Sequence, residues 1–597
     1  MGTFADSNRV SLRAIPEDVA NWGVTPVTGK TREVRITSSS LALNKETVMS
    51  EELRADRMVS SIVEVGATTE GEINFELSAG SHDDFLQAFL LGAWTRPMSF
   101  DSFTGTQVSW SATNVLRIGG GDYTGYFTVG RVIKTEGFFT PQNNGYRTIT
   151  SVAFTSGATL ITVSTASSVV EVGKRGNKIL DANDVIIRES TGIRLGTAGA
   201  ATIDSNGANL FSSAIAAGNL VPGQVIFVEG PAAEKATVTF TDEATVNDTI
   251  TLSDGLNIKM FIAGTDYLPG VDASASALNL AQAINEARVN GLVELDATRT
   301  GGVLTIRNLR LTGGSAVEVT DSAAAITVVN FSGYNPNARG FFTLVSVSDD
   351  VLTLDRVPST VATGTFTIKG SMLRNPGEID DITPQSFTFE TAFNDVNQYM
   401  VHDGCRIGTY ALEISSGAIV TGTLSVAGKA TTNFSTSKLS DETDYTVLAT
   451  TATEVMNATT NVGQLRKDGV VLASAIQSIT LEGDATLRNQ MAVSSKFPRG
   501  IGTGRFQLSG SLSAYFENLD LWRDFEQHTT VSLQFDFIDL DNNVYYYTIP
   551  AMKYTADPVA PGGIDQDIIE EIEWMAFRDA ATGCMLQVDR FSSVYPV

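Results

Sequence analysis

Short segments that alternate apolar with polar residues dominate this chain, and they restrict it to a mainly β fold. Runs rich in Val, Ile, Thr and Phe are cut by Gly, Asn and Asp at short intervals, a pattern typical of half-buried strands joined by turns. Ile73, Phe75 and Leu77 share one face of such a strand. Two further runs, at 531–538 and 544–549, flank adjacent asparagines and predict a hairpin.

Two short helices interrupt the strands, one near each end of the chain. Ser81 is predicted to cap the first helix, and the spacing of Phe85, Leu86, Phe89 and Leu90 gives it an apolar stripe. Each helix follows a strand that is flanked by glycine, which indicates a duplicated strand-then-helix unit. The second helix is predicted from the spacing of Tyr515, Leu519, Trp522 and Phe525.

The middle of the chain contains a repeat that an insertion divides. The strand, loop, strand, turn, strand pattern of 126–163 resumes in 220–229 and then in 337–354. The residues between the two pieces have Asp-Gly and Gly-Gly hairpin signals and one amphipathic helix pattern. A unit with its own core can be inserted at an exposed loop of a host domain. We therefore predict a nested α+β decoration domain over residues 231–331.

The complete organisation follows from this nesting. We predict a discontinuous core domain over residues 1–115 and 370–597, a β-sandwich or barrel with flanking short helices. Inserted β-rich modules are expected over 116–230 and 332–369. A chain of 597 residues exceeds what one hydrophobic core holds, which agrees with several domains.

Charge and composition exclude several classes of function. The 67 acidic residues outnumber the 41 basic ones and give a net charge of −26, which opposes any binding that works by neutralising phosphates. No apolar run is long enough to span a membrane, and the first residues lack the layout of a signal peptide. Two cysteines cannot form a disulfide framework, so folding in a reducing cytoplasm is expected.

The candidate catalytic and metal-binding motifs lack residues or geometry that their chemistry requires. His402 and Cys405 are close in sequence, but spacing alone gives no catalytic geometry, and we expect a buried structural cysteine beside an exposed histidine. His82, in a first helical turn, is expected in solvent. The Asp539–Pro550 segment begins like a calcium loop but lacks the required glycine and glutamate. Clustered Cys or His ligands for zinc are absent from the sequence, so we predict a protein that is not an enzyme and has no metal or cofactor.

Three long segments resemble the tail tube proteins of bacteriophages with long non-contractile tails. They are the stretch from Arg35-Ile36-Thr37 through LNKETVMSEELR at 43–54, the segment from Ser386 to Ala430, and the segment from Gly562 to Phe591. The two strand-then-helix units belong to the same pattern. The resemblance covers residues 1–115 and 370–597, and the inserted middle is similar to modules of larger family members.

The resemblance implies a virion protein that assembles in the host cytoplasm. It implies hexameric rings that stack into a hollow tube, through which viral DNA passes without specific binding during ejection. The tape measure protein and the tail terminator or distal tail proteins are its implied partners, with no membrane involved. A cell-surface adhesin or surface-layer protein of β-sandwich modules remains the alternative.

Two groups of charged residues are candidate sites. In similar proteins the loop at 44–57 stacks one ring on the next, and folded as a hairpin it reaches about 23 Å. Glu571 and Glu573 share one face of a predicted strand at 567–577, with Glu570 on the other face, and they are candidates to line an acidic channel that repels DNA. The candidate stacking residues are Lys45, Glu46, Glu51, Glu52, Arg54, Asp56 and Arg57.

Overall fold

The computed structural model describes residues 5–591 apart from short gaps. The gaps are 19–20, 27–28, 96–98, 102–107, 125–126, 128, 130–131, 137, 139, 144, 165–167, 174–176, 182–184, 230–233, 290–291, 294, 309–314, 321–324, 333–338, 359–361, 436–437, 440–444, 449–450, 452, 473, 541, 560–563 and 565. The chain is mainly β, as predicted, and it divides into two compact units. The first unit contains Met1–Thr95 and Met372–Arg590, and the second contains Arg96–Ser371 and Phe591–Val597.

The elements are numbered in chain order. The first part of the chain forms β1 Val10–Pro16, β2 Gly29–Val34, β3 Ser38–Ser39, β4 Ala42–Met49, β5 Ile62–Glu76 and α1 Asp83–Leu90. The middle part forms β6 Ser99–Asp101, β7 Val108–Ala112, β8 Val115–Gly119, β9 Val132–Glu136, β10 Gly145–Thr155, β11 Ala158–Val163, β12 Lys178–Asp181, β13 Val185–Leu195, β14 Thr202–Asp204, α2 Ser212–Ala216, β15 Val225–Glu229, β16 Lys235–Phe240, β17 Thr249–Ser253, β18 Ile258–Ile262, α3 Ala273–Val289, β19 Leu295–Thr300, β20 Val303–Asn308, β21 Ala316–Thr320, β22 Ile326–Ser332, β23 Arg339–Val347, β24 Val351–Leu354 and β25 Ala362–Lys369.

The last part of the chain completes the first unit. It forms β26 Ser371–Arg374, β27 Phe387–Phe393, β28 Gln398–Ser415, β29 Thr421–Gly428, β30 Ala430–Ser435, β31 Tyr445–Leu448, β32 Arg466–Lys467, β33 Val470–Val471, β34 Ile476–Asp484, β35 Arg488–Gln490, β36 Gly500–Gly502, β37 Gln507–Tyr515, α4 Asp520–Glu526, β38 Val531–Ile538, β39 Val544–Ala556, β40 Ile569–Ala576 and β41 Gln587–Phe591.

One long strand, β28, connects the two layers of the first unit. From Arg406 onward β28 belongs to a large antiparallel sheet in the order β4-β5-β29-β28-β34-β37-β40-β39-β38-β32-β33. Up to Cys405 it pairs with β27 and β30 in a second sheet, β31-β2-β1-β27-β28-β30. The predicted hairpin of β38 and β39 is present, with Ile538 opposite Val544.

Helix α1 fills the space on the apolar side of the large sheet. Phe89 lies against Gly483, where an added Cβ would come within 2.4 Å of the Phe89 ring, so only glycine permits this approach of helix to strand. Phe85 contacts the ring of Phe387 at a centroid distance of 5.0 Å. The predicted stripe Phe85, Leu86, Phe89 and Leu90 is buried, as expected.

Three local predictions about the helices were wrong. Ser81 does not cap α1, because its hydroxyl pairs with that of Ser78 at 2.6 Å and His82 occupies the cap position. The second helix, α4, begins only at Asp520, since Tyr515 is still part of β37. Leu521 is the buried residue of α4, whereas Trp522 is exposed. Phe525 is partly buried and packs against the main core.

The second unit contains three strand assemblies. A seven-stranded sheet has the order β6-β12-β9-β10-β11-β8-β7, and a closed barrel has the order β13-β14-β24-β23-β15-β25. The sheets β19-β20-β16-β22 and β18-β17-β21 flank α3 and form a separate hydrophobic core. Strands β9, β10 and β11 repeat the arrangement of β15, β23 and β24, which is the divided repeat that the sequence predicted.

The predicted domain boundaries stay predictions, although the pairing adds detail to them. Strands β7 and β8 join β11 in the second unit, so residues 108–115 lie with the middle of the chain. The two predicted hairpins of the nested segment are present, with Ser253 opposite Ile258 and Thr300 opposite Val303. Ala277, Leu280, Ile284 and Ala287 are buried along α3.

Excision of the nested segment should leave the host barrel folded. Glu229 and Arg339 are register partners in β15 and β23, so an Asn-Gly turn in place of residues 230–338 closes a direct hairpin. We expect the thermal unfolding midpoint of the shortened protein to stay within a few degrees of the parent value. Removing 224–337 instead deletes β15, whose Ile226 and Val228 are in the barrel core, and should unfold the barrel. Equal damage from both deletions would contradict the nesting.

Candidate functional site

One side of the large sheet carries mainly polar and acidic side chains, bordered by Lys553 on β39, the register partner of Met575, and by Arg406 on β28, the partner of Ala427. Six neighbouring strands, β5, β29, β28, β34, β37 and β40, contribute to it, and none of its side chains is buried. We call this surface the acidic face. In rows of register partners it consists of Glu76, Thr421, Glu413, Thr480, Ser511 and Glu573; Asn74, Thr423, Ala411, Glu482, Ser509 and Met575; Glu72, Ser425, Thr409, Asp484 and Gln507; and Ser415, Ser478, Ser513 and Glu571.

Small hydroxyl side chains fill the space between the carboxylates. Thr409 donates to Ser425 across the strands at 2.8 Å, and the hydroxyls of Thr480 and Ser511 also lie 2.8 Å apart. Cross-strand pairs of this kind stabilise a sheet and satisfy hydroxyl groups locally. These four hydroxyls are therefore engaged with one another, and the carboxylates of the acidic face set its charge.

The predicted pair Glu571 and Glu573 belongs to this face. Both are exposed on β40, whereas Glu570, Ile572 and Trp574 alternate with them and are buried. The two-residue period of a strand requires this separation. Burial raises the pKa of Glu570, with a further contribution from the neighbouring Asp557 carboxyl group. Glu570 therefore lies on the core side of β40, away from the acidic face.

The opposite side of the same strands is apolar and forms the main core. Ile73, Tyr410, Leu481 and Trp574 are almost completely buried there. A sheet with one side in the core and one side in water is the usual antiparallel arrangement. The acidic face is thus held on a rigid support, because changes in the strand register would expose the core residues.

A second surface is a hairpin that projects beyond the large sheet. Strands β4 and β5 pair from Ala42–Glu70 to Met49–Ile62, whereas β29 reaches only as far as Thr69 on the other edge of β5. We call β4, the connecting residues 50–61 and the start of β5 the arm. Seven residues of extended strand carry it about 23 Å.

The seven predicted stacking residues are all exposed on the arm. Lys45 and Glu46 lie in β4, and Arg54 binds Asp56 through Nη2 and Oδ2 at 2.6 Å. Lys45 lies 3.7 Å from Glu64, which also pairs with Lys496 at 2.7 Å. Exposed pairs of this type contribute little stability. The hairpin shape of the arm agrees with the reach expected for the loop at 44–57. The role of these residues in ring stacking stays a prediction.

Charge does not account for the most unusual property of the arm, which is its exposed apolar surface. The cross-strand pairs Val48–Val63 and Met49–Ile62 lie on opposite faces of the ribbon. With Leu53, Met58, Val59 and Val65, they form a set of apolar side chains that are each more than half exposed. The predicted stacking site contained only the charged residues of this segment and omitted these apolar ones.

The histidines and cysteines of the described core are structural. His402 is fully buried, and its ring bonds to the hydroxyls of Thr391 and Thr431 at 3.2 and 2.8 Å. His82 is also buried, with Nε2 donating to the Arg35 carbonyl at 2.9 Å. Burial lowers the pKa of both rings to about 4. The predictions of exposed His82 and His402 were therefore wrong, because two hydroxyls satisfy the His402 ring inside the core and the Arg35 carbonyl accepts from His82.

The remaining chemical groups offer no assembled centre in the described residues. Cys405 is buried as predicted, and burial raises the pKa of its thiol well above the usual value. Within the part of the chain described, no group of three or more His, Cys, Asp or Glu residues could hold a metal ion. Among the described helices, none combines the length and hydropathy needed to cross a bilayer.

A large β sheet with one acidic face and a projecting apolar arm is the architecture of a structural, assembling protein. The family model for phage tail tube proteins matches residues 7–576. The chain therefore belongs to the phage tail tube protein family. Family membership makes it a structural virion protein that self-assembles into a tube. A comparison with curated proteins gave no match.

Proposed function

We propose that six copies of this chain form a ring, that rings stack through the arms, and that the acidic faces line the channel. The channel then conducts the viral genome without specific binding. The observation that carries the proposal is the composition of the acidic face, where seven carboxylates, those of Glu72, Glu76, Glu413, Glu482, Asp484, Glu571 and Glu573, lie on six neighbouring strands, and the basic residues Arg406 and Lys553 lie at its borders.

Electrostatics gives this face its proposed role. Duplex DNA carries about one negative charge per 1.7 Å, so basic walls would bind it through counterion release. Carboxylates repel it over roughly the 8 Å Debye length at physiological salt. Hydroxyl groups that bond to one another across strands offer few free donors to phosphate. A wall of this composition lets the duplex slide.

The number of six copies and the further partners rest on the family resemblance. A head-to-tail interface that closes makes a ring, and one that does not close makes a filament. A tube needs both kinds of interface: a closing interface between subunits within a ring and a non-closing interface between stacked rings. The tape measure protein and the tail terminator or distal tail proteins are proposed partners, and the host cytoplasm is the proposed place of assembly.

Electron microscopy of the purified protein tests the proposal. We expect six-fold rings or tubes whose channel is bounded by β28, β34, β37 and β40. A map in which the channel is bounded by other strands would contradict the role of the acidic face. Monodisperse elongated monomers at high concentration would favour the adhesin or surface-layer alternative instead.

A further inference from the structure

The arm is not stable as an isolated element in water. A two-stranded ribbon is marginal without a third strand or a packed face, and the outer half of the arm has apolar side chains on both of its faces. A contiguous exposed apolar surface of this kind marks an interaction site. The arm therefore requires a partner that covers Val48, Met49, Ile62 and Val63.

A second apolar surface lies at the other end of the same sheet. Tyr515 ends β37, Ile568 precedes β40, and the two segments are joined by a hydrogen bond from Phe516 N to the Ile568 carbonyl at 3.0 Å. Leu519 and Trp522 follow at the start of α4. We call Tyr515, Leu519, Trp522 and Ile568 the end patch, and all four are more than one-third exposed.

The strand registers place the arm and the end patch at opposite ends of the sheet. Glu72, Ser425, Thr409, Asp484 and Gln507 form the row nearest the arm. Tyr515, opposite Ile569, lies beyond the row at the other end. Two unlike apolar surfaces at opposite ends of one rigid element are the requirement for head-to-tail association, because each copy then offers both halves of the contact.

Charged residues surround both apolar surfaces. The end patch is bordered by the exposed acids Glu517, Asp520 and Asp567, and Arg523 pairs with Asp520 at 3.3 Å. The arm tip carries charges of both signs and includes Arg57, in a left-handed turn that directs the chain back toward β5. Polar and charged residues around an apolar centre are the usual composition of a protein interface.

We infer that the arm of one copy docks on the end patch of a second copy of this chain in the next ring. The inference rests on the proposed function and adds the receiving surface to it. Trp522 and Leu519 are the expected anchors, since large apolar side chains at the centre of an interface contribute most of its binding energy.

Cross-linking between two single-substitution proteins tests the contact. Protein with Leu53→Cys, at the arm tip, is mixed with protein carrying Leu519→Cys and allowed to assemble. The native Cys405 and Cys584 are buried with raised thiol pKa values, so they react slowly. We expect disulfide-linked pairs at least ten times more abundant than with Val470→Cys, an exposed control on β33.

A second pair of variants measures the energetic role of the end patch. Trp522→Asp should raise the concentration needed for polymerisation at least tenfold, and Trp522→Phe should stay near the parent value. If parent protein forms no rings or tubes, the proposed function fails. If tubes form without the Leu53–Leu519 cross-link, or if Trp522→Asp polymerises normally, the proposed function stands and the docking inference is wrong.

Discussion

Replacing Glu413, Glu482 and Glu573 together by lysine should leave tubes intact and reduce infectivity by at least tenfold. All three side chains are exposed on the acidic face, and their direct register partners are Ser, Thr or Ala. The substitutions therefore place no two like charges directly opposite each other in the sheet. They convert a repelling wall into one that binds phosphates.

The salt dependence of DNA binding tests whether phosphate binding by the lysines causes the loss of infectivity. Purified tubes of the lysine variant should bind duplex DNA, with an affinity that falls as salt rises by a slope of about 0.9 for each phosphate contacted. Parent tubes should show no such binding. Particle counts by microscopy, compared with plaque titre, separate a defect in genome passage from a defect in assembly.

A matched control variant changes the net charge by the same amount outside the acidic face. Asp242, Glu243 and Glu318 are exposed in the nested segment of the second unit, and their replacement by lysine should leave infectivity within about twofold of the parent. If both triple variants lose infectivity equally, total charge is responsible and the acidic face has no specific role.

The strands and their faces could be predicted because each depends on local sequence. The two-residue period of a strand determines which side of β40 meets the core. The sequence therefore predicts Glu571 and Glu573 on one face and Glu570 on the other. Turn residues fixed the hairpin at 538–544 in the same way. The two hairpins of the nested segment and α3 could be predicted for the same reason, from turn dipeptides and an amphipathic helix pattern in the local sequence.

The acidic face as a whole could not be predicted, because it depends on pairing between distant segments. Glu76, Glu413 and Glu573 share one row only through the order of β5, β29, β28, β34, β37 and β40. Sequence periodicity assigns a side to each strand, but it does not say which strands are neighbours. The burial of His402 has the same origin, since its partners Thr391 and Thr431 come from two other strands.

Replacing Asp83 by asparagine should destabilise the first unit by about 3–5 kcal/mol, the usual result of removing one partner of a buried ion pair. Asp83 accepts hydrogen bonds from Tyr545 at 2.8 Å and from Arg590, whose guanidinium lies 4.6 Å from the Trp94 ring. These contacts join α1 to β39 and to the C-terminal strand β41. Asparagine keeps the shape but removes the negative charge of Asp83 from the neighbourhood of Arg590, in a poorly hydrated position.

Denaturant unfolding of the unassembled protein measures the loss, with Asp84→Asn as the matched control. Both residues lie in the first turn of α1, but Asp84 is exposed, so the control should lose about 0.3–1 kcal/mol, the usual favourable effect of an acid near a helix N-terminus. Adding Arg590→Met to Asp83→Asn should restore most of the stability, because the poorly hydrated positive charge is then gone. Equal losses for Asp83→Asn and Asp84→Asn would show that the ion pair does not hold α1 to β41.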